Sequence, residues 1–205
     1  MKKLVMLAFI AISSSATPNA SAIDTVVAHP PVDAFFSCSE HSDGQFKSVG
    51  DALGTDCVVK SLYEIEGRLW WREYLGNGSK NEDWFGWHIE LLSPCDCKIV
   101  TIDINPVTNE PGITGEGRAS SITFLRSDGV RFRYAHVRDV RVRLGEEVKE
   151  GSPVAMVGNN GFSRNPHVYI AAWQNSVPLQ LRWNQSKKRL PPEHRKQSRD
   201  NGRDS

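Results

Sequence analysis

Long apolar runs and helical patterns are scarce in this 205-residue chain. No segment shows a sustained repeat of 3.6 residues, so a helical bundle is not expected. The apolar run from Leu4 to Ile12 is far too short to span a bilayer as a helix, and no later segment could do so. We therefore predict a protein without a membrane span.

An excess of charge of either sign is also missing. The chain has 25 Lys and Arg against 24 Asp and Glu, a formal charge of +1 that falls to −1 once Lys2 and Lys3 are excluded. Such a balance gives no global electrostatic case for nucleic acid as a partner. Residues 185–205 are the basic exception, and we predict that they form a disordered, solvated tail. Weak attachment of this tail to an anionic cell-wall or membrane polymer is the alternative.

The N-terminus has the organisation of an export signal. Lys2 and Lys3 precede the apolar run, and Ala20-Ser-Ala22 provides small residues at a cleavage site. We therefore predict a secretory signal peptide at residues 1–22. Secretion places the mature chain in the periplasm or outside the cell, between which the signal does not distinguish, and it permits disulfides.

Cysteine is sparse, with Cys38, Cys57, Cys95 and Cys97 only. Side chains two positions apart on an extended strand point the same way but lie too far apart for an easy bridge. The preferred pattern therefore ties Cys38 and Cys57 to the Cys95–Cys97 segment. A Cys38–Cys57 bridge is the alternative, and a four-thiolate zinc site is a third option that the spacings disfavour.

What the sequence does contain is a succession of short β-strand patterns separated by turn residues. Ser120–Leu125 and Val130–His136 predict a hairpin around Ser127-Asp-Gly129. The regular spacing of such segments predicts an all-β domain at residues 63–184, built on a largely antiparallel sheet. Residues 23–62, which include two cysteines, are predicted to form an N-terminal extension.

Polar rings occur at the ends of two predicted strands. Tyr134-Ala-His-Val137 contains His136, and Asn165-Pro-His-Val-Tyr169 contains His167 and Tyr169. Residues two apart on a strand face the same side, so His167 and Tyr169 project together and His136 can meet them from a neighbouring strand. This arrangement outlines a metal or acid–base site. The Gly-x-Ser-x-Gly elbow of serine hydrolases is missing, which disfavours that class.

Three motifs in this order resemble the second half of the LytM/lysostaphin-type zinc endopeptidase domain. They are the Tyr-Ala-His-Val motif, the glycine-punctuated segment 142–161 and the Asn-Pro-His-Val-Tyr motif. The resemblance is strong from residue 129 to 173 and weaker back to about residue 85. It implies an antiparallel β-sheet with a groove, a Zn²⁺ cofactor and hydrolysis of peptides of bacterial peptidoglycan.

The same resemblance assigns roles residue by residue. His136 and His167 correspond to the two histidines that assist the chemistry in the family. The positions of the family's zinc ligands are occupied by other residues: Tyr169 replaces the second histidine of His-x-His, Glu90 replaces the aspartate, and Gly86 replaces the first histidine.

Two hypotheses for the site follow. In the first, His88 and Glu90 lie on one face of a strand and rebuild a Zn²⁺ site with His136 or His167 as third ligand, so that a bound water hydrolyses a peptide bond. In the second, no catalytic zinc binds, and Tyr169 is a phenol that lines the groove.

The leading prediction is a secreted LytM-like metalloendopeptidase-family domain acting on peptidoglycan peptides, with weakened or lost zinc catalysis. The alternative is an inactive module that binds peptidoglycan or regulates a cell-wall hydrolase. An envelope carrier or structural protein is a third option; Lys149 does not stand at the hairpin position that biotinyl and lipoyl carriers modify.

Overall fold

The computed structural model describes residues 23–188 and, for the backbone alone, residues 195–196. This part of the chain contains β-strands and two short 3-10 helices, Asn81–Asp83 and Gln185–Lys187. The strands are β1 Thr25–Ala28, β2 Phe36–Glu40, β3 Thr55–Val59, β4 Ser61–Ile65, β5 Arg68–Arg72, β6 Glu90–Leu92, β7 Cys97–Asp103, β8 Ser121–Arg126, β9 Arg131–Ala135, β10 Val137–Arg138, β11 Glu147–Val148, β12 Pro153–Val157, β13 Val168–Gln174, β14 Val177–Trp183 and β15 Arg195–Lys196.

One curled sheet of nine strands dominates the fold. Its order is β1-β14-β13-β9-β8-β7-β11, and β2 and β3 join it because β3 pairs with the first half of β13. The neighbours are antiparallel except β1 and β14, which run parallel. Two three-stranded sheets, β10-β12-β6 and β15-β4-β5, complete the structure. The predicted all-β class with an antiparallel, grooved sheet is confirmed.

The alternation of side chains along β9 sets the two faces of the main sheet. Phe132 and Tyr134 are fully buried in the core, whereas Arg131 and Arg133 point away from it and are half-buried. The predicted hairpin connects β8 to β9, and Gly129 takes a φ of 89° in its turn, a conformation that suits glycine. The face that carries Arg133 is therefore available for a site.

The preferred disulfide pattern is wrong. Cys38 bonds to Cys57, and Cys95 bonds to Cys97. Cys38 and Cys57 lie directly opposite each other in the β2–β3 ladder, with 4.1 Å between their Cα atoms. Cys95 lies in a bend before β7, which brings its Cα to 5.4 Å from that of Cys97. The prediction failed because it treated this segment as extended. All four cysteines are paired, which also removes the four-thiolate option.

Residues 23–62, predicted as an N-terminal extension, contribute β1, β2 and β3 to the main sheet. At the other end, the 3-10 helix Gln185–Lys187 opens the predicted tail, with Asn184 as its N-cap. The rest of that tail, apart from the backbone of 195–196, and the predicted signal peptide lie outside the described residues. Within the described part, no helix is long and apolar enough to cross a membrane.

Candidate functional site

The exposed face of β9 and β13 forms the floor of a groove of about 670 Å³. Three buried side chains of this floor, Ala135, Tyr169 and Ala171, pack together as a small cluster separate from the main core. The groove is lined by His41, Phe46, Asp51, Asp56, Thr114, Gly117, Arg118, Ala119, Arg133, Ala135, His136, Phe162, Ser163, Arg164, Asn165, His167 and Tyr169.

His136 and His167 lie next to each other in the lining of this groove. His136 follows β9 with a φ of 61°, a strained conformation for a residue with a side chain, and His167 immediately precedes β13. Their ring centroids lie 4.6 Å apart, and each residue is less than a tenth exposed. The structure thus brings together the two histidines that the sequence singled out.

Backbone carbonyls fix the orientation of both rings. The Nδ1 atom of His136 lies 2.8 Å from the carbonyl oxygen of Asn160, and that of His167 lies 2.8 Å from the carbonyl oxygen of Asn165. A carbonyl can only accept, so Nδ1 carries the hydrogen in both rings. Asn160 also donates to the carbonyl of Val137 through its side chain, which locks the first of these contacts. The Nε2 atom of His136 is left for chemistry or binding.

The two histidines differ in electrostatics. Burial, followed by the neighbouring charge of His167, lowers the pKa of His136 to about 4, and its contact with Asn160 does not offset this. His136 is therefore neutral at pH 7, with an unprotonated Nε2. Nε2 of His167 instead lies 3.3 Å from Oδ1 of Asp56. The unprotonated Nε2 of His136 can accept a proton, whereas Nε2 of His167 contacts the Asp56 carboxylate.

Asp56 is a site residue that sequence reasoning missed. It lies in β3, directly opposite Tyr169 of β13. Burial raises the pKa of its carboxyl, but the hydrogen bond from His167 and the charges of His167, His41 and His136 outweigh it and leave the pKa below its usual value. Asp56 is thus an anion that orders the histidines around it.

His41, to which the sequence assigned no role, belongs to the same cluster. Its Nδ1 atom lies 2.9 Å from the carbonyl oxygen of Asp51, and its Nε2 atom is 3.8 Å from Oδ2 of Asp56. One signal could have found both residues. His41 follows Cys38 by three positions and Asp56 immediately precedes Cys57, so a Cys38–Cys57 bridge places them near each other.

Tyr169 lines the groove and is tied to the loop between β2 and β3. Its hydroxyl donates a hydrogen bond of 2.7 Å to the carbonyl oxygen of Gly50. Burial, with a smaller contribution from the Asp51 carboxylate, raises the pKa of the phenol. A Cβ at Gly54 would overlap the phenol, so the close approach of this loop requires glycine there. Tyr169 therefore fastens the loop onto the sheet.

His88 and Glu90 do not join this cluster. Neither lines the groove, and Arg141 donates to Glu90 Oε1 elsewhere. The expectation that both lie on one strand face is wrong for His88, which precedes β6 and takes a φ of 60°. Its ring packs at an angle against Trp87, at 4.9 Å between centroids. A residue with a positive φ interrupts the alternation of side chains along a strand, so the face of His88 cannot be inferred from that of Glu90.

The residues that the sequence resemblance assigns to the ligand positions do not fit zinc. Catalytic zinc takes three protein ligands from His, Cys and carboxylate side chains. Gly86 has no donor, Glu90 is engaged by Arg141, and the Tyr169 phenol is neutral and donates to Gly50. Among the described residues, no group of three or more His, Cys, Asp or Glu is arranged to hold a metal ion.

Part of this chain is similar to known proteins. The family model of Peptidase family M23 matches residues 107–181. Glycyl-glycine endopeptidase ALE-1 of Staphylococcus capitis is 34% identical over 68 residues, which are 33% of this chain and 19% of that protein. Lysostaphin of Staphylococcus staphylolyticus is 32% identical over 68 residues, 33% of this chain and 14% of that protein. The match thus spans less than a quarter of either relative.

Solved structures of the same family are similar at lower identity. The catalytic domain of the antimicrobial peptidase lysostaphin from Staphylococcus simulans is 18% identical, with a TM-score of 0.34 over 59% of this chain and 84% of that chain. A putative peptidase M23 from Pseudomonas aeruginosa is 16% identical, with a TM-score of 0.43 over 80% of this chain and 50% of that chain. The resemblance to lysostaphin-type domains that the motifs indicated is confirmed.

Proposed function

We propose that this chain binds peptides of bacterial peptidoglycan in its groove and does not hydrolyse them through a zinc-bound water. One observation carries the proposal. Tyr169 stands where a lysostaphin-type domain has a ligand histidine, and its hydroxyl donates to the carbonyl oxygen of Gly50. In this chain, the residue at that position binds the loop between β2 and β3.

The consequence for catalysis follows from ligand chemistry. Zinc lowers the pKa of its bound water to about 7 only when protein ligands hold it firmly with one position open. A neutral phenol is a poor ligand, and burial raises the pKa of Tyr169 further from ionisation. With Gly86 and Glu90 also unsuited, no step of hydrolysis is assigned to zinc here.

The groove itself supports recognition of a peptide. Its volume of about 670 Å³ lies within the range of small-ligand sites, roughly 300–1,000 Å³. Its lining combines aromatic rings, such as Phe46 and Phe162, with carboxylates and guanidinium groups. The similar proteins include a glycyl-glycine endopeptidase, so peptides of the cell wall are the substrate class that we propose as ligand.

The proposed location is the periplasm or the cell exterior. Both disulfides are compatible with an oxidising compartment, which agrees with the signal peptide expected from the sequence. A cell-wall hydrolase regulated by this module is the protein partner that we propose.

Hydrolysis is the second candidate, favoured by the cluster of His136, His167 and Asp56. A neutral Nε2 beside an imidazole that contacts a carboxylate has the composition of a general acid–base pair. This candidate requires an activated water or another nucleophile, and the described residues assign none.

One experiment separates the two functions. Purified protein is incubated with isolated peptidoglycan sacculi, and the bound fraction, the release of soluble peptides and the metal content are measured with and without a chelator. Retention on sacculi without release of peptides, unchanged by the chelator, is the expected result. Chelator-sensitive release of peptides would establish the enzyme, and absence of retention would refute binding.

A further inference from the structure

Arg133 is a cation of the groove that pairs with no carboxylate among the described residues. Arg133 projects from β9 on the groove face and is half-buried. Its guanidinium makes no ion pair or side-chain hydrogen bond with any residue in the described part of the chain. This differs from Arg118, the neighbouring groove arginine that pairs with Asp103 at 3.6 Å. Arg133 is thus a guanidinium that can bind a ligand carboxylate in the groove.

Its position in the groove is well defined. Nη1 of Arg133 lies 3.8 Å from the point where a Cβ of Gly50 would stand, next to the loop that Tyr169 holds. The positive charge of Arg133 makes a small contribution that lowers the pKa of both His136 and Tyr169. Burial dominates in both cases: it also lowers the pKa of His136, and it raises that of Tyr169. The guanidinium is therefore close to the histidines as well as to the phenol.

A second cation lies on the groove lining. Arg164 donates from Nε to the carbonyl oxygen of Gly112 and makes no contact with a carboxylate of the described residues. The carboxylates that line the groove are engaged elsewhere: Asp56 with His167 and Asp51 beside Tyr169. No carboxylate among the described residues therefore pairs with Arg133, and a ligand that enters the groove can supply one.

We propose that the groove recognises the free carboxylate terminus of a peptide, with Arg133 as the residue that binds it. Guanidinium and carboxylate form paired, parallel hydrogen bonds, and such charge-assisted contacts are about twice as strong as neutral ones. An internal peptide segment has no terminal carboxylate to offer Arg133. This inference rests on the proposed function and narrows its ligand to peptides with an open carboxyl end.

The test compares two peptides that differ only in this charge. An N-acetylated tripeptide that ends in D-alanyl-D-alanine and its C-terminal amide are titrated into the purified protein, and binding is followed by NMR chemical shifts. The acid is expected to bind about tenfold more tightly than the amide or better. Arg133→Gln should remove this preference, and Arg133→Lys should retain part of it.

Arg131→Gln is the matched control. It removes the same charge from the same strand, two residues away, and Arg131 does not line the groove. The preference for the acid should survive this change. Equal affinity for acid and amide, no measurable binding of either peptide, or a preference that persists in Arg133→Gln would each overturn the inference. Retention on sacculi is measured in parallel. If the protein is still retained, peptidoglycan binding stands although recognition of the terminal carboxylate is refuted; if retention is also lost, both proposals fail.

Discussion

Oδ1 of Asp56 lies 3.3 Å from Nε2 of His167, across the boundary that the sequence placed between an N-terminal extension and a β domain. The contact arises because β3 pairs with the first half of β13, which sets Asp56 opposite Tyr169. The N-terminal strands therefore supply part of the site, and the groove cannot be described from the segment that matches known peptidases alone.

Asp56→Asn is expected to lower the free energy of unfolding at pH 6 by up to about 1 kcal/mol, since the carboxylate is 41% exposed and solvent screens its contacts. The folded-state pKa lies below the ordinary 3.8, so this stabilisation is present above pH 3.8 and is lost as the pH falls through the folded value. Urea unfolding at pH 6 and pH 3 measures it. Asp43→Asn, at an exposed turn, is the control and should have little effect at either pH. A variant as stable as the parent at pH 6 would contradict the prediction.

His136 is expected to make the protein less stable over a different pH range. Its folded-state pKa is about 4 against an ordinary 6.5. Between these two pH values, the imidazole is protonated in the unfolded chain and neutral in the folded chain. Stability should therefore fall as the pH drops from 6.5 to 4, by up to about 1.4 kcal/mol per pH unit. An NMR titration of the imidazole provides the direct measurement. A ring that titrates near pH 6.5 in the folded protein would refute the assignment.

Much of the sheet and half of the site could be predicted from the sequence. The period-2 pattern of Phe132 and Tyr134 identifies the core face of β9, and the Asp128-Gly129 turn fixes the hairpin. His136 and His167 could be paired because each stands at the end of a strand within a recognisable motif. These predictions depend on residues close together in the sequence, and the structure agrees with them.

The remaining site residues depend on contacts that local patterns do not encode. Asp56 and His41 reach the groove through the pairing of β3 with β13 and through the Cys38–Cys57 bond. His88 was misplaced for a different reason: its φ of 60° interrupts the alternation on which its assignment depended. The register between distant strands and a positive φ at a non-glycine residue both depend on tertiary contacts. A local sequence pattern therefore does not predict either of them.

Two tyrosines should respond in opposite ways to loss of the hydroxyl group. The Tyr134 hydroxyl is fully buried and has no hydrogen-bond partner among the described residues. Tyr134→Phe should therefore leave the free energy of unfolding unchanged or raise it by about 1 kcal/mol, because removing an unpaired buried hydroxyl relieves its desolvation. Denaturant unfolding measures the effect, and a loss of more than about 1 kcal/mol would reveal a partner that the structure does not contain.

Tyr169→Phe removes a made hydrogen bond instead. The Gly50 carbonyl loses its donor, so the free energy of unfolding should fall by about 1–2 kcal/mol. Amide hydrogen exchange in the loop between β2 and β3 should accelerate, while exchange in β8 stays slow. Unchanged exchange in that loop would mean that the phenol does not fasten it.

Tyr169→His introduces the histidine that the sequence resemblance expects at this position and tests whether this substitution alone is enough for zinc to bind. We expect no stoichiometric zinc in the purified variant, because Gly86 still offers no donor and Glu90 stays engaged by Arg141 outside the groove. One added histidine does not restore the family's ligand set while its two other members are missing, and catalytic zinc requires three protein ligands. Elemental analysis of the parent and the variant after zinc loading and dialysis gives the readout, with Tyr169→Phe as the control for loss of the loop contact. One zinc per chain in the variant, removed by chelator, would show that Tyr169 alone separates this groove from a metal centre.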